Sequence, residues 1–325
     1  MIVDSLEPVR LKDMTQWIRI RATDRSNPVL LLMQQGPGLP IINEVRMFER
    51  LVGLEKHFTV VYWDQRGTGR SALPLRSGAK RFEISVAAMV DDTVSMLELL
   101  HTRFGGKTLV AGFSFGATYA ARAAVRRPDL VAALVAVGMD IDLPAAERHM
   151  CDFVLRSARQ HGNKRAIRQL EKIGPPPHVT AKRFSTRARW AANYGGVSAG
   201  KKHIDILRSV VGGMIRSPDY SVADVVRAVR GITSSQAALL PELATTDLVS
   251  TIPRLDVPIV MVQGRLDQVA PGEAAQRFYD SVTAPSKRLV WFEKSAHTPQ
   301  FDEPDTFRQL LLDVRDGHSS AAYAA

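Results

Sequence analysis

The fold of this chain is decided by one stretch of sequence, Thr108-Leu109-Val110-Ala111-Gly112-Phe113-Ser114-Phe115-Gly116-Ala117-Thr118. Its first four residues predict a buried strand, and the residues from 117 to 127 predict a helix that Pro128 ends. Ser114 lies on the turn between them, flanked by two glycines at positions where side chains would collide with the turn or a neighbouring strand. Such a turn presents the serine hydroxyl above the sheet edge, near the positive end of the helix. The stretch predicts a nucleophilic serine, although taken alone it equally fits a turn that only joins strand to helix.

Length and composition are typical of an ordinary globular protein. The chain has 325 residues, enough for one large α/β domain with an insertion or for two domains. Hydrophobic residues make up 45% and charged residues 23%. The N-terminal stretch lacks the apolar core of a signal peptide, and no stretch approaches the roughly 18 apolar residues of a membrane span. The single cysteine, Cys151, excludes an intramolecular disulfide. We therefore expect a cytoplasmic protein.

The net charge of +10 is concentrated in the middle of the chain. Residues 141–247 contain 17 lysines and arginines against 9 aspartates and glutamates. These basic residues form no recognised nucleic-acid-binding module and are not interleaved with aromatic residues. The excess therefore favours a solvated, helical, basic surface, with no nucleic-acid partner.

Apolar strand-like runs alternate with helical patterns in two parts of the chain. Residues 17–22 alternate apolar and charged side chains, as in a strand with one wet face, and the apolar runs are residues 29–33, 58–63, 108–111, 131–137, 258–262 and 288–292. This alternation predicts an α/β fold, a doubly wound and mostly parallel sheet with helices on both faces. Between the two parts, helical patterns are broken by glycine and proline without a comparable β-run, which predicts an inserted helical segment. The expected division is core 1–140, helical lid 141–247, core 248–315 and a frayed tail 316–325.

Polar side chains follow two buried strands in the second part of the core. Asp267 comes after the run 258–262, and His297 comes after the run 288–292. Because the carboxyl ends of the strands in a doubly wound sheet meet at one ligand-binding edge, both residues are expected to lie near Ser114. Asp140, which follows the run 131–137, is the alternative to Asp267 as the acid.

The order serine, aspartate, histidine is that of the α/β-hydrolases, which the chain resembles over nearly its whole length. Two loops further resemble the proline iminopeptidase group, peptidase family S33. Residues 64–71 match its motif Asp-Gln-Arg-Gly-x-Gly-x-Ser completely. Residues 36–38 match the end of its motif His-Gly-Gly-Pro-Gly, whereas Gln34 and Gln35 stand in place of His-Gly. The resemblance implies a serine hydrolase that acts through an acyl-enzyme on a small amide or ester.

Chemistry assigns a role to each residue of the predicted triad. His297 would take the proton of Ser114 during attack and deliver it to the leaving group. Asp267 would hold the imidazole in one tautomer and stabilise the imidazolium. The oxyanion needs preorganised donors, and the backbone N–H of Phe115 follows from its place after the nucleophile. Gly36 is the second donor by its match to the glycine before proline in the family motif.

The loops and the inserted segment leave the substrate open. Gln34 and Gln35 either line the pocket or cap backbone groups, and Asp64, Arg66 and Arg70 are expected to brace their loop through internal hydrogen bonds. Proline iminopeptidases bind the protonated α-amine of the substrate with lid carboxylates. The basic excess of this lid would instead suit a neutral or anionic ester, thioester, lactone or amide, unless its cations simply face water.

Other functions of the same fold remain open. They are carboxylesterase, lactonase or thioesterase of secondary metabolism, a non-hydrolytic lyase or cyclase, and a ligand-binding protein. The sequence contains no dinucleotide fingerprint, phosphate loop or metal-ligand cluster, so no cofactor or metal is expected. The expected partner is a small-molecule or short-peptide substrate, with no membrane, and the sequence indicates no oligomeric state.

Overall fold

The computed structural model describes residues 2–72 and 82–317. The strands are β1 (Val3–Leu11), β2 (Met14–Ala22), β3 (Val29–Met33), β4 (Thr59–Asp64), β5 (Thr108–Phe113), β6 (Val131–Val137), β7 (Ile259–Gly264) and β8 (Lys287–Phe292). The helices of the core are α1 (Val45–Leu51), α2 (Val86–Phe104), α3 (Phe115–Arg126), α9 (Leu248–Thr251), α10 (Gly272–Ser281), α11 (Pro299–Asp302) and α12 (Pro304–Arg315). Those between β6 and β7 are α4 (Leu143–Gln160), α5 (Lys164–Ile173), α6 (Ala181–Asn193), α7 (His203–Arg216) and α8 (Val222–Leu243).

In the described residues, the strands form one sheet in the order β1-β2-β4-β3-β5-β6-β7-β8. From β4 to β8 neighbouring strands are parallel, whereas β2 is antiparallel to both β1 and β4. Strand β5 is central, and its Gly112 is level with Met33 of β3 and Ala136 of β6. The predicted strand-like runs correspond to β2 through β8. Strand β2 shows the alternation of a strand with one wetter face, whereas strands such as β3, β4 and β5 are buried throughout and leave continuous apolar runs.

The edge strand β1 is the one element of the sheet that the sequence patterns do not reveal. It pairs with β2 along its whole length, from Val3 opposite Ala22 to Leu11 opposite Met14. Most of its residues are at least partly exposed, and Pro8 interrupts its donors, as edge strands tolerate. Val9 and Leu11 reach the apolar core, but the partly exposed residues before them form no strand-like pattern, so the pairing with β2 is what locates the strand.

Helices cover both faces of the sheet. On one face, α2, α3 and α10 pack against the strands and form an apolar core that includes Leu97, Ala120 and Phe278. On the other face, α1 and α12 form a second core that includes Phe48 and Phe307. The chain is thus a doubly wound α/β fold with a mostly parallel sheet, which confirms the predicted fold class.

The segment of residues 141–247, called the helical segment below, has an apolar cluster of its own. That cluster joins α4, α5 and α6 through residues such as Val154, Leu170 and Trp190. The two ends of the segment meet, since Asp142 forms an antiparallel bridge with Asp247. The helical segment therefore leaves and re-enters the core at one place, between β6 and β7.

In residues 2–72 and 82–317, no helix combines the length and the apolar character that crossing a membrane requires. Of the predicted tail, Asp316 and Gly317 follow α12 as a turn, and residues 318–325 lie outside the described residues.

A buried ion pair fastens the loop after β4 to α2. The guanidinium of Arg66 donates two hydrogen bonds to Asp92, of 2.7 and 2.9 Å, and both side chains are almost completely buried. Gln16 of β2 also donates to Asp92 and accepts from the indole N–H of Trp63. Burial raises the pKa of Asp92 although Arg66 acts in the opposite direction. Arg66 thus braces its loop, as expected, because leaving Asp92 without it would strand a buried charge.

This pair yields a stability prediction. Arg66→Met should lower the free energy of unfolding, measured by urea titration, by about 3–5 kcal/mol, because the Asp92 carboxylate loses its buried partner. The matched control is Arg126→Met, which breaks an ion pair with Asp91 whose two side chains are about half exposed. That change should cost at most about 1 kcal/mol. Equal effects of the two substitutions would contradict the prediction.

Candidate active site

Ser114 occupies a strained turn between β5 and α3. Its φ is +53° and its ψ is −124°, a conformation that residues other than glycine rarely adopt. The turn is crowded: a Cβ on Gly112 would lie 2.5 Å from the Cα of Ala117, and one on Gly116 would lie 2.3 Å from the carbonyl oxygen of Gln34. Glycine is therefore required at both positions for the reason expected from the sequence. The strained turn directs Ser114 into a cavity above the carboxyl ends of the strands.

Asp267 and His297 form a buried pair at the same edge of the sheet. The distance from Nδ1 of His297 to Oδ2 of Asp267 is 2.8 Å. Because a carboxylate can only accept, Nδ1 carries the proton and Nε2 is left as an acceptor. His297 lines the same cavity as Ser114. The pair can therefore act as an oriented base toward a group in that cavity.

Backbone donors hold both members of the pair in place. The N–H groups of Val269 and Ala270 donate to Oδ1 of Asp267, over 2.7 and 3.0 Å. The N–H of His297 donates to the carbonyl oxygen of Val197 in the helical segment. Asp302 adds a second link, because its carboxylate accepts from Ala296 N–H and from residues 198 and 199. The loop that carries His297 is thus fastened to the helical segment as well as to the sheet.

Asp140, the alternative acid, contacts the serine instead of the histidine. The hydroxyl of Ser114 donates to Oδ2 of Asp140 over 2.7 Å, and the side chain of Asp140 is buried. Thr118 donates to the carbonyl oxygen of Asp140 and so ties this loop to α3. Since a hydroxyl has one hydrogen, Ser114 in this arrangement does not also donate to Nε2 of His297. Of the two acids that the sequence left open, Asp267 is the partner of His297.

The charges around His297 change the pKa of two groups. Burial lowers the pKa of His297, but the negative charges of Asp267 and Asp140 outweigh it, so the pKa lies above its ordinary value of 6.5. Burial raises the pKa of Asp140 to about 6, although His297 and the hydrogen bond from Ser114 act against the increase. The two acids therefore favour the charged form of His297, while burial favours the neutral form of Asp140.

The two expected oxyanion donors lie beside Ser114. Gly36 and Phe115 both line the cavity. Phe115 is the first residue of α3, and the first N–H groups of a helix have no partner within it. Both backbone segments therefore border the cavity that holds Ser114.

The structure separates the roles of the two glutamines. Oε1 of Gln34 accepts from the N–H of Gln65 and from the hydroxyl of Thr68, so Gln34 braces the loop. Gln35 lines the cavity. Asp64 accepts from the N–H groups of residues 41, 42 and 70 and from Tyr220, and it thereby joins both motif loops to the helical segment.

The cavity beside Ser114 has a volume of about 200 Å³ and mostly apolar walls. Its apolar lining consists of Leu39, Met47, Phe115, Leu143, Ala146, Met150, Phe184, Ala188, Val197, Ile206, Val210, Val269 and Phe301. Besides His297, the charged or titratable lining residues are Glu44, Asp140, Glu147, Arg187 and Lys201. The sequence patterns do not reveal Glu44 and Glu147 as site residues, because each lies on a helix with no motif around it.

These titratable groups differ in their partners. Glu147 is paired with the buried Arg187 and accepts from the backbone N–H of His178. Burial and the nearby charge of Asp64 raise the pKa of Glu44 to about 8, against the effect of Lys201. At neutral pH, Glu44 is thus mainly protonated, Glu147 is neutralised by its partner, and Asp140 carries most of the negative charge.

The basic excess of the helical segment lies on its outside. Of its 17 lysines and arginines, 14 are exposed, and the fully buried one, Arg187, is neutralised by Glu147. Most cations of the segment therefore face water, and of the exposed ones Lys201 also borders the cavity. Among the residues that the structure describes, no three metal-ligating side chains are grouped as a metal site requires.

Comparison with known proteins shows which family and which relatives the chain is similar to. A sequence model of the alpha/beta hydrolase family matches residues 42–310. The "Probable aminopeptidase YbaC" of Bacillus subtilis (strain 168) is 29% identical over 299 residues, which cover 91% of each chain. The "Proline iminopeptidase" of Heyndrickxia coagulans is 23% identical, covering 88% of this chain and 89% of the relative. The "Pimeloyl-[acyl-carrier protein] methyl ester esterase" of Vibrio vulnificus (strain YJ016) is 25% identical, covering 86% and 94%.

The pair of Asp267 and His297 yields a titration prediction. The imidazole of His297, followed by ¹⁵N NMR, should titrate above pH 6.5 in the wild-type protein, because Asp267 stabilises its charged form. In Asp267→Asn the effect of burial should dominate, so the pKa should fall well below the wild-type value. The exposed Asp280→Asn is the control and should leave the titration unchanged. A His297 that titrates alike in all three proteins would contradict the assignment.

Proposed function

The chain belongs to the alpha/beta hydrolase family, and from that premise we propose that it is a serine hydrolase working through an acyl-enzyme. The observation that carries the proposal is the 2.8 Å pair of His297 and Asp267 in the cavity that holds Ser114. The strained turn at Ser114 supports it, because strain at a serine that lines a cavity is typical of a nucleophile. No metal or cofactor is needed for this chemistry.

The proposed reaction begins when the Ser114 hydroxyl turns from Asp140 to Nε2 of His297. As Oγ attacks the carbonyl carbon, its proton passes to Nε2, and the imidazolium is stabilised by Asp267. The imidazolium then protonates the leaving group as its bond to the carbonyl carbon breaks. His297 then takes a proton from a water molecule whose oxygen bonds to the acyl carbon. The bond from that carbon to Oγ breaks, and the imidazolium returns the proton to Oγ, which releases the acid and restores Ser114.

The backbone N–H groups of Phe115 and Gly36 are the proposed oxyanion donors. Both residues line the cavity beside Ser114. Each such donor typically contributes about 2.7–4 kcal/mol to the stabilisation of the transition state. The positive end of α3 adds to their effect, since it favours negative charge near Ser114.

We assign the reaction to small amides, in the manner of an aminopeptidase. The relatives named aminopeptidase and proline iminopeptidase support this class, as do the two motif loops. The cavity of about 200 Å³ suits a small acyl group. Residues of α4, α6 and α7 supply part of its wall, and we propose that the helical segment, 141–247, is a lid that limits the substrate.

A second candidate is a carboxylesterase. The mostly apolar wall of the cavity favours it, because an uncharged acyl chain would gain free energy from burial there. The relative named as a methyl ester esterase points in the same direction. Release of the amine from a proline anilide supports the first candidate. Turnover restricted to acetyl or butyryl esters or to lactones supports the second.

The nucleophile can be tested directly. A fluorophosphonate probe should label Ser114, identified by mass spectrometry, and Ser114→Ala should lose labelling together with about 10⁴-fold or more of kcat. The control is Ser209→Ala, a serine that also lines the cavity and that should leave Ser114 labelled. Labelling of another residue, or turnover that survives Ser114→Ala, would refute the proposal.

The pH dependence of the rate follows from the pKa of His297. Only neutral imidazole can take the proton of Ser114, so kcat/KM should fall as the pH decreases through the raised pKa. The midpoint of this acid limb should lie above pH 6.5. An acetyl ester is the substrate for this measurement, because it has no group of its own that titrates there. A midpoint below pH 6.5 would be inconsistent with His297 as the base.

A further inference from the structure

The buried carboxylate of Asp140 has a place in the site that the proposed reaction does not use. Its Oδ2 accepts the hydroxyl of Ser114 over 2.7 Å, and it lines the cavity. Only 2% of Asp140 is exposed. The nearby cation Arg187 is already paired with Glu147. In the described structure, the serine hydroxyl is thus the donor that satisfies this carboxylate.

This hydrogen bond competes with the one that the reaction needs. The single hydrogen of Ser114 cannot be donated to Asp140 and to Nε2 of His297 together. When the hydroxyl turns to His297, the Asp140 carboxylate loses its donor while still buried, which is costly. The reacting complex is therefore favoured by a substrate that brings a donor of its own to Asp140.

Distance indicates where on the substrate that donor lies. The Oγ atom beside Asp140 becomes bonded to the carbonyl carbon of the acyl group. A substituent on the next carbon is about 2.5 Å from the carbonyl carbon and so reaches the surroundings of Ser114. Because a buried carboxylate is best compensated by a charged donor, the favoured substituent is an ammonium group.

We propose that Asp140 is a specificity-determining residue that binds the α-ammonium group of the acyl half of the substrate and thereby releases the Ser114 hydroxyl to His297. This proposal rests on the proposed serine hydrolase function. It assigns the amine to the core of the fold, at the end of β6, whereas the lid carboxylate that lines the cavity, Glu147, is occupied by Arg187.

The other carboxyl groups of the cavity are less suitable. Burial raises the pKa of Glu44 to about 8, so at neutral pH it is mainly uncharged. Asp140, with a pKa of about 6, is mainly ionised there. The difference makes Glu44→Gln a matched control, since it replaces a mainly neutral acid by a neutral amide in the same cavity.

Three phenyl esters test the assignment, those of alanine, lactic acid and propionic acid, which carry an ammonium, a hydroxyl and a hydrogen at the same carbon. In Asp140→Asn and Asp140→Ala, kcat/KM for the alanine ester at pH 7.5 should fall at least about 30-fold, as for the loss of one partner of a buried charge pair. The propionic ester should change less than about threefold. Glu44→Gln should affect all three esters alike, and the exposed Glu273→Gln should affect none.

Several results would overturn the proposal. In the Asp140 variants, they are a kcat/KM that falls equally for all three esters, a kcat/KM that does not fall at all, or a fall that is largest for the lactic ester. A further such result is a kcat/KM that falls selectively for the alanine ester in Glu44→Gln alone. Labelling of Ser114 by a fluorophosphonate separates this failure from failure of the proposed function. Labelling that persists in Asp140→Asn without the expected selectivity refutes only the role of Asp140. A wild-type protein that is not labelled refutes the serine hydrolase itself.

Discussion

The close packing of the turn around Ser114 is the constraint on which the site depends. Strand β5 lies between β3 and β6, and its turn approaches β3 so closely that Gly116 has no room for a Cβ. This contact places Ser114 at the edge of the sheet where the loops after β6, β7 and β8 begin. Asp140, Asp267 and His297 reach the serine because parallel strands deliver their following loops to one edge.

Buried carboxylates link the loops and helices around this edge of the sheet. Asp64 accepts four hydrogen bonds from two loops and the helical segment, and Asp92 is paired with Arg66. Asp267 accepts from His297 and from two backbone N–H groups. Asp140 is different, because it accepts from the hydroxyl of Ser114, the residue that we propose as the nucleophile. On that proposal, the hydrogen bond of this carboxylate must change when a substrate reacts.

The helical segment is positively charged on its outer surface but not on the side that faces the cavity. Most of its lysines and arginines face water, so the strongly basic composition concerns the outer surface. Facing the cavity, Arg187 is neutralised by Glu147, and the uncompensated charge nearest the serine is the negative one of Asp140. The basic excess therefore provides no reason to favour an anionic substrate, since electrostatic interactions with the reacting group depend on nearby buried charges more than on distant solvated ones.

The sequence by itself determined the fold class, the strands β2 to β8 and the polar residues that follow them, because runs of apolar residues and glycines at close approaches leave local patterns. It could not reveal β1, most of whose residues are partly exposed and whose place is defined by pairing with β2. Only the tertiary structure decided that Asp267 pairs with His297 while Asp140 holds Ser114, and that Glu44 and Glu147 line the cavity. The reason is physical: the partner of a buried charge is chosen by three-dimensional proximity between segments far apart in the chain.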